Sequence, residues 1–586
     1  MGLQKHYLRY GRSARDHILG WAGGGRGSGA GPGSKTGSSR AEDARIPNRP
    51  TPLSMLISQG VKINNHRLAV IIIGIVTLIL GILLSSIPWL DYFILKNLRL
   101  WNDTLSFHYW QRPGVIRLTK VYIYNVTNPN GFLMGEKPKL QEVGPFVYRE
   151  DMEKVNVQFY DNSTVSYQHK KILQFVPELS VDKNTPIITP NIPLLTLTSQ
   201  STKLGYLLSK AISLLSNVAK FKPFINVTAE QLAFGYDDPL VSLAHTFYPK
   251  HMRPMSRMGL LIGRNGTLTE VSTIKTGHAG MHEFGYIDRL NGLDYLPHWN
   301  QPPCTSITGS EGSFFPPRDI TKADMIYLYD KDLCRVIPLK YEKRVEKDSI
   351  DADLYYLSEN SYGDSESNAE NQCFDSNDYV SLKGLQNISP CQFGAPVYIS
   401  NPHFYQADPR LLDAVEGLQP NKNKHETFFK IQPKLGVPLE GMVRIQLNLK
   451  VTHAKNIQPV SNFRDFVFPV MWLEEGISEL TPAIRRWIYL ATVFAPNVIP
   501  AASYLLIATG AFAIIFTFFR AYQSFVFARD PTLEILEMGR RSLRRGSSFI
   551  AQHQHKLMHR ESYTLLKTPP GSINDTGDEA LPIIDS

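Results

Sequence analysis

Cysteine is scarce in this chain, because only 4 of its 586 residues are cysteine. No two of them form a C-x-x-C pair, the spacing of many structural zinc and thioredoxin-like sites, so a zinc site is the less favoured assignment. Two disulfides are favoured instead, since an oxidising compartment preserves them, and four cysteines allow three pairings. The four residues are Cys304, Cys334, Cys373 and Cys391.

Local motifs of the common enzyme classes are also missing. The sequence contains no nucleophile elbow, no metal-ligand constellation and no Gly-rich phosphate loop. We therefore predict neither an enzyme nor a bound cofactor. A two-pass ectoenzyme or ligand-gated channel is the less favoured class, because two-pass channels carry denser lumenal cysteine frameworks than this one.

Two long uncharged apolar runs lie near the ends of the chain, at 68–87 and at 498–519, and residues 490–497 extend the second. Each is long enough to cross a ~30 Å hydrocarbon core as a helix. The alternative, two buried core helices in a soluble protein, is much less favoured. The predicted segments are a cytosolic N-terminal tail (1–67), transmembrane helix 1 (68–88), a lumenal or extracellular domain (89–489), transmembrane helix 2 (490–519) and a cytosolic C-terminal tail (520–586).

The net charge of +9 comes from the two tails. Residues 1–67 hold 11 Lys+Arg against 3 Asp+Glu, and residues 520–586 hold 9 against 8, which leaves 42 of each sign between them. Because basic residues beside a span favour the cytosolic side, we predict both termini in the cytosol and the large domain outside it. The basic excess is then no nucleic-acid footprint, and no nucleic-acid partner is predicted.

Six N-x-S/T sequons lie in the predicted lumenal domain, the compartment in which N-glycosylation takes place. A single sequon often arises by chance, but six in one lumenal domain predict a heavily glycosylated surface. The six asparagines are Asn102, Asn125, Asn162, Asn226, Asn265 and Asn387.

The lumenal domain is predicted to be mainly β. Val155, Val157 and Phe159 alternate before the turn residues 161–163, which predicts a hairpin. A second hairpin is predicted around Asn265-Gly266, because Asn-Gly is the strongest short hairpin signal.

Two predicted helices interrupt this β pattern. Apolar residues between Leu204 and Val218 recur at helical spacing. The sequence Thr228-Ala-Glu-Gln231 is a capping box that begins another helix. We expect both in a small helical cap on a β body.

An ordered series of motifs runs through the chain: Asn125–Pro129, Glu142–Arg149, Phe234–Pro239, Thr276-Gly277, Asn291-Gly292 with Trp299, Cys304–Ser310, Phe315–Pro317, Asp332–Arg335, Pro396–Pro402 and Gly417–Pro420. This series resembles the class B scavenger receptors, the family of the fatty-acid translocase, the high-density-lipoprotein receptor and a lysosomal integral membrane protein. The resemblance spans roughly residues 68–519, and the ordered set is highly specific.

The resemblance implies a two-span membrane protein with an antiparallel β-barrel-like lumenal domain, a helical bundle at its apex and an apolar tunnel running towards the membrane. It also implies a disulfide between Cys304 and Cys373 and another between Cys334 and Cys391.

The same resemblance places Lys220 and Lys222 in the apical region where the family captures ligands. Lysines there could attract anionic particles, and the alternative is an ordinary solvated cationic face. Histidines in the lumenal domain could sense endosomal pH, although a lone histidine is usually structural. The histidines in question are His245, His251, His278 and His282.

The C-terminal tail matches three short sorting patterns. Adaptor pockets take paired aliphatic side chains next to an upstream carboxylate. We therefore predict that clathrin adaptors bind the tail, and that the protein resides in lysosomal and late endosomal membranes with a plasma-membrane pool. The matching residues are Glu579 with Ile583 and Ile584, Glu561 with Leu565 and Leu566, and, for a tyrosine-based signal, Tyr563 with Leu566.

Together these features predict a class B scavenger receptor that binds fatty acids, sterols, other lipids or lipoproteins and mediates their uptake or transfer. The alternative is a lysosomal sorting receptor that carries a lumenal hydrolase, since the same fold fits both. Lipid uptake and capture of a lumenal partner would separate the two.

Overall fold

The computed structural model describes residues 65–201, 205–247, 256–366, 368–374, 382–392, 394–527, 537, 539–544 and 547. The described residues from 69 onwards belong to one compact unit.

Most helices of the described part are short, and two are long. They are α1 (Asn65–Ser86), α2 (Trp89–Leu98), α3 (Leu105–Gln111), α4 (Pro129–Leu133), α5 (Ile192–Ser201), α6 (Tyr206–Val218), α7 (Ala229–Phe234), α8 (Pro239–Phe247), α9 (Arg318–Thr321), α10 (Pro409–Asp413), α11 (Lys422–His425), α12 (Pro482–Tyr489) and α13 (Ala495–Phe527). Single 3₁₀ turns or short 3₁₀ helices occupy Pro177–Leu179, Met281–Glu283, Ala369–Phe374, Ser389–Cys391, Pro402–Phe404 and Gln458–Val460.

The strands lie between α3 and α12. They are β1 (Val115–Val126), β2 (Leu140–Tyr160), β3 (Thr164–Phe175), β4 (Pro186–Pro190), β5 (Phe224–Thr228), β6 (Gly266–Lys275), β7 (Ile287–Leu290), β8 (Met325–Asp330), β9 (Arg335–Lys347), β10 (Ile350–Leu357), β11 (Gln386–Asn387), β12 (Val397–Ser400), β13 (Phe428–Ile431), β14 (Pro438–Val451) and β15 (Phe466–Leu480).

One 13-stranded antiparallel sheet forms the body, in the order β7-β6-β3-β2-β1-β15-β14-β13-β10-β9-β8, with β12 and β11 branching from β14. Its two edges meet at residues 309–310. Ile287 of β7 donates its backbone N–H to the carbonyl of Gly309 (2.9 Å), and Ser310 donates to the carbonyl of Tyr327 on β8 (2.8 Å). This bridge nearly closes the sheet, which confirms the predicted antiparallel, barrel-like domain between two apolar helices.

Side chains along β14 alternate between the inside and the outside of this barrel. Val443, Ile445 and Leu447 face the interior. Arg444 and Gln446 point to the opposite face, where residues 401–426 cover them. Because the side-chain period of a strand is two, one strand contributes both an apolar inner wall and a polar outer surface.

The outer face carries a cross-strand ion triad on β14, β15 and β1. Arg444 Nε contacts one oxygen of the Glu474 carboxylate and Lys120 Nζ contacts the other, each at 2.7 Å. Burial acts to raise the pKa of Glu474, but Lys120 and Arg444 hold it below its ordinary value. One step along the strands, Tyr122 stacks on Trp472 with ring centroids 3.9 Å apart. These contacts fix the register of the three central strands.

Two buried histidines lie beside this triad, and no local pattern in the sequence singles them out. The rings of His403 and His425 stack in parallel at 4.4 Å. Each ring accepts a backbone N–H at Nδ1, from Gln419 and Asn421 respectively, both at 3.0 Å. In each neutral ring the N–H is therefore at Nε2. The Nε2–H of His403 donates to a carboxylate oxygen of Glu142 at 2.5 Å. Burial, with the neighbouring His403 as the second cause, lowers the pKa of His425 to about 4.

The two long apolar helices pack against each other through small residues. The first span is α1, in which the most apolar 18 residues have a mean hydropathy of 3.0. The second is the continuous helical stretch Pro482–Ser524, in which the most apolar 18 residues have a mean hydropathy of 2.0, and it includes a π-helical turn at Leu490–Phe494. A Cβ atom at Gly510 would lie 2.7 Å from the backbone nitrogen of Leu78 and 2.8 Å from the carbonyl oxygen of Gly74. The helix backbones are thus in direct contact, as small residues permit in membranes.

Local predictions were confirmed where short-range chemistry decides the structure. Residues 161–163 connect β2 to β3, α6 covers the predicted helical segment up to Val218, and Thr228 and Gln231 form the reciprocal capping box of α7.

The predicted hairpin at Asn265-Gly266 was wrong. Residues 260–263 form turns, because Leu260 and Leu261 donate their N–H groups to the last carbonyls of α7, and Gly266 only begins β6.

We predict that Gly510→Leu destabilises the pair of spans. The added side chain must displace the α1 backbone, and overpacking of this kind costs about 1–3 kcal/mol. The matched control is Ala508→Leu, since Ala508 is exposed on the same helix. Thermal unfolding of the purified protein in detergent checks this, and equal midpoints for the two variants would contradict the close packing.

We predict that His425 makes stability depend on pH below neutrality. Its pKa is lower in the folded than in the unfolded state, so the unfolded chain binds the extra proton and stability falls as the pH drops from about 6.5 towards 4. With a discount for solvent screening, this loss is about 2 kcal/mol. In His425→Asn an amide oxygen can still accept the Asn421 N–H but nothing titrates, so the variant should lose less stability between pH 7 and pH 4.5. Identical losses in thermal midpoint would refute the assignment.

Candidate functional site

The helices α5, α6 and α8 lie at the end of the barrel remote from the spans. The start of β1 is tied to the start of α12, since Thr481 donates its N–H to the carbonyl of Gly114 at 2.9 Å. Strand β1 then runs 12 residues, or about 35 Å, away from that junction. At the far end, Ser213 of α6 accepts the backbone N–H of Gln458 at 3.1 Å, in the connection between β14 and β15.

A cavity of about 890 Å³ lies between these helices and the inner face of the sheet. Its walls are mainly aliphatic. The helices contribute Ile192, Pro193, Leu197, Ile212, Leu215, Leu240, Val241, Leu243, Ala244 and Phe247, and the sheet contributes Val397, Val443, Ile445, Leu447 and Leu473. Ligand pockets in proteins have volumes of about 300–1,000 Å³ and are lined in the same way, so this space is the candidate binding site.

Apolar residues at one side of the cavity are also exposed at the protein surface. Leu215 is 45% exposed, Leu243 is 47% exposed and Phe247 is 77% exposed, and all three line the cavity. Neighbouring residues of α6, such as Leu207 at 84% and Val218 at 73%, extend this apolar surface outwards. Among the described residues, the apolar wall of the cavity is therefore continuous with an exposed apolar surface at these positions.

The opposite end of the cavity is charged. We call Arg264, Asp330, Asp332 and Glu475 the floor cluster. Arg264 forms ion pairs through Nη2 with Asp332, at 2.5 Å, and through Nη1 with Glu475. Burial acts to raise the pKa of Asp332, but the positive charges of Arg264 and Lys331 hold it below its ordinary value. Burial and the charges of Asp332 and Glu475 raise the pKa of Asp330 to about 6.

A second cavity of about 130 Å³ lies on the other side of the floor cluster. Both cavities are lined by Asp330, Asp332, Val443 and Glu475. Along β15 the first cavity meets Leu473, both meet Glu475, and the second meets Ile477, nearer to the spans. The two spaces therefore follow one another along the barrel, with the floor cluster between them.

A buried lysine stands beside the second cavity. Lys154 contacts Glu311 at 3.2 Å and donates to the hydroxyl of Ser313 at 2.8 Å. His169 contacts the other oxygen of Glu311 at 3.1 Å. Burial lowers the pKa of both Lys154 and His169, with Glu311 opposing this in each case. Sequence reasoning missed these residues and the floor cluster, because only the closed sheet brings them together.

The two disulfides lie at the edge of this region. Cys304 is bonded to Cys373 and Cys334 to Cys391, which are the pairs that the family resemblance implies. The second bond joins the segment carrying Leu333 to the segment carrying Ile388 and Gln392, and these residues form part of the cavity wall. It therefore stabilises one wall of the site.

The other predicted site residues lie outside the cavity. Lys220 and Lys222 are exposed just after α6, in the helical end of the domain. His245 is partly buried on α8. His278 and His282 are exposed, and burial together with the charge of Arg99 lowers the pKa of His278. His251 and the sorting residues between Glu561 and Ile584 lie outside the described residues.

The sequon asparagines fall into two groups. Asn102, Asn162, Asn226 and Asn265 are exposed. Asn125 and Asn387 are half-buried, and their side-chain oxygens accept hydrogen bonds from Ile188 and Ser389 respectively.

Comparison with known proteins identifies the family. The CD36 family profile matches residues 72–521. Scavenger receptor class B member 1 of Bos taurus is 31% identical over 441 residues, which cover 75% of this chain and 86% of that protein. Lysosome membrane protein 2 of Mus musculus is 35% identical over 438 residues, which cover 73% of this chain and 88% of that protein. The chain therefore belongs to the CD36 family, the family of the class B scavenger receptors.

Proposed function

We propose that this receptor binds lipid or lipoprotein-type ligands through the cavity and mediates their uptake or transfer. The observation that carries the proposal is the aliphatic cavity whose rim, at Leu215, Leu243 and Phe247, is continuous with an exposed apolar surface. A site without titratable groups on most of its wall has little means of catalysis, but it can hold an acyl chain or a sterol.

The energetics of lipid transfer support this role. Exposing one methylene group to water costs about 0.8 kcal/mol, so a sixteen-carbon chain costs on the order of 12 kcal/mol. A protein that surrounds the chain with aliphatic side chains lowers this barrier without consuming ATP. We infer that cargo enters at the α6–α8 side and passes along the barrel through the second cavity towards the spans.

The exposed sequon asparagines and the exposed Lys220 and Lys222 are consistent with a domain outside the cytosol. We propose that both termini are cytosolic, that the exposed sequon asparagines carry glycans, and that Lys220 and Lys222 attract anionic particles to the rim of the domain. The positions of Lys220 and Lys222, exposed and close to α6, support this last proposal.

A second candidate function is the sorting of a lumenal hydrolase. The observation that favours it is the exposed apolar face of α6, with Tyr206 at 63%, Leu207 at 84% and Leu214 at 66% exposure. Exposed apolar patches mark protein interfaces as well as lipid sites. A hydrolase that copurifies with the wild type and is lost in Leu207→Glu, with lipid content unchanged, would favour the sorting role.

We predict that Ile445→Trp lowers lipid binding at least tenfold. Ile445 lies on the inner wall, and the larger ring occupies volume that the ligand needs. The control is Leu207→Trp, which adds the same ring to an exposed position. Mass spectrometry of lipids extracted from the purified proteins measures the effect. Lipid content in Ile445→Trp equal to that of the wild type would exclude the cavity as the site, provided that both proteins show the same thermal midpoint.

We predict that the tail signals set the cellular address. Replacing Ile583, Ile584, Leu565 and Leu566 with Ala removes two pairs of aliphatic anchors, worth about 2 kcal/mol per side chain, which should abolish a micromolar interaction with an adaptor. The variant should accumulate at the plasma membrane instead of lysosomes and late endosomes, as seen by surface labelling and immunofluorescence. Normal delivery to lysosomes would show that the matches arose by chance.

A further inference from the structure

The charged end of the cavity has more negative than positive side chains. Among the described residues that line it, five carry charge: Arg257, Arg264, Asp330, Asp332 and Glu475. Arg257 pairs with the exposed Asp237 at 3.0 Å, away from the floor cluster. The floor cluster itself therefore holds one guanidinium against three carboxylates.

The guanidinium of Arg264 is already committed. Asp332 and Glu475 pair with its two terminal nitrogens. Asp330 forms hydrogen bonds with the backbone instead: one of its carboxylate oxygens accepts the N–H groups of Asp332 (2.9 Å) and Leu333 (3.2 Å). These two ion pairs leave N–H donors of Arg264 free, but a carboxylate ligand there would compete with Asp332 and Glu475 for a single positive charge.

Cations on the side of the second cavity do not reverse this imbalance. Lys171 and Arg117 both contact Glu150, at 2.9 Å and 3.8 Å, and Lys154 contacts Glu311. Lys331 adds one positive charge to this region, and Glu270 adds one negative charge. Because Lys171 and Arg117 share the single carboxylate of Glu150, the excess of negative charge falls from two to one, but it remains.

We propose that the floor cluster makes the cavity select neutral, hydroxyl-bearing amphiphiles over free fatty-acid anions. The proposal rests on the lipid-binding function above and narrows it. A hydroxyl group, as in a sterol or a monoacylglycerol, can donate a hydrogen bond to Asp330 or Glu475 and accept one from Arg264. A carboxylate can only accept, and it would lose its hydration beside unpaired negative charge in a region of low dielectric constant.

The test uses two fluorescent ligands that share one chain and differ in the head group, cis-parinaric acid and its glycerol monoester. Both are titrated at pH 7.4 and 0.15 M salt into the purified full-length protein in detergent. The readout is the ratio of the two dissociation constants, compared between the wild type and its variants, so that the different water solubility of the ligands cancels. We expect the wild type to bind the monoester at least tenfold more tightly than the acid.

Two substitutions should change this ratio. Glu475→Gln and Asp330→Asn each remove one negative charge from the floor cluster, so each should strengthen binding of the acid at least fivefold and shift the ratio of the two dissociation constants towards the acid. Such a gain for one ligand does not arise from misfolding. Glu178→Gln, at an exposed carboxylate outside the cavity, is the control and should change neither constant.

The outcomes separate the two proposals. Equal binding of acid and monoester by the wild type, or a ratio that neither substitution shifts, overturns the selectivity and leaves lipid binding intact. If the wild type binds neither ligand, lipid binding in this cavity is itself refuted, and the inference fails with it.

Discussion

The architecture depends on the pairing of the first strand of the domain with its last strand. Val115 is in register with Leu480, and Thr481 donates both its N–H and its hydroxyl to the carbonyl of Gly114. A chain that leaves the membrane and returns to the same side must bring these two points together. Because β1 and β15 do so at the centre of the sheet, the other strands extend on both sides of this pair until residues 309–310 join the edges. The opposite end of the barrel is left for the helices that enclose the cavity.

The inner and outer faces of the central strands have different roles. The inner face is aliphatic from Leu447 to Val443 and becomes charged at Glu475. The outer face holds the Lys120–Glu474–Arg444 triad, and the segment 401–426, which carries the stacked histidines, packs against Arg444. Because its pKa is lowered to about 4, His425 stays neutral under mildly acidic conditions, and the polar outer network supports the cavity wall from behind.

Sequence alone could predict the features that depend on short-range chemistry. Hydropathy located the two apolar helices, alternation located the β2–β3 hairpin, and the capping box located the start of α7. The hairpin at Asn265 was mispredicted because the C-terminal end of α7 takes the hydrogen bonds of residues 260 and 261. The charged floor was missed because Arg264 and Glu475 are 211 residues apart in the chain and meet only in the closed barrel. His403 and His425 escaped notice for the same reason, since their partner Glu142 lies on β2.

The close contact of the two spans limits where a transported lipid can go. With Gly510 against the backbone of Leu78 and Gly74, the seam between the helices has no room for an acyl chain. On the proposed function, cargo therefore emerges sideways into the leaflet that faces the domain, and its delivery is asymmetric. Spread to the cytosolic leaflet then depends on spontaneous flip-flop, which is fast only for molecules with small uncharged heads, because a charged group crosses hydrocarbon at high cost. A receptor that admits hydroxyl-bearing lipids would thus supply both leaflets of its membrane without a flippase.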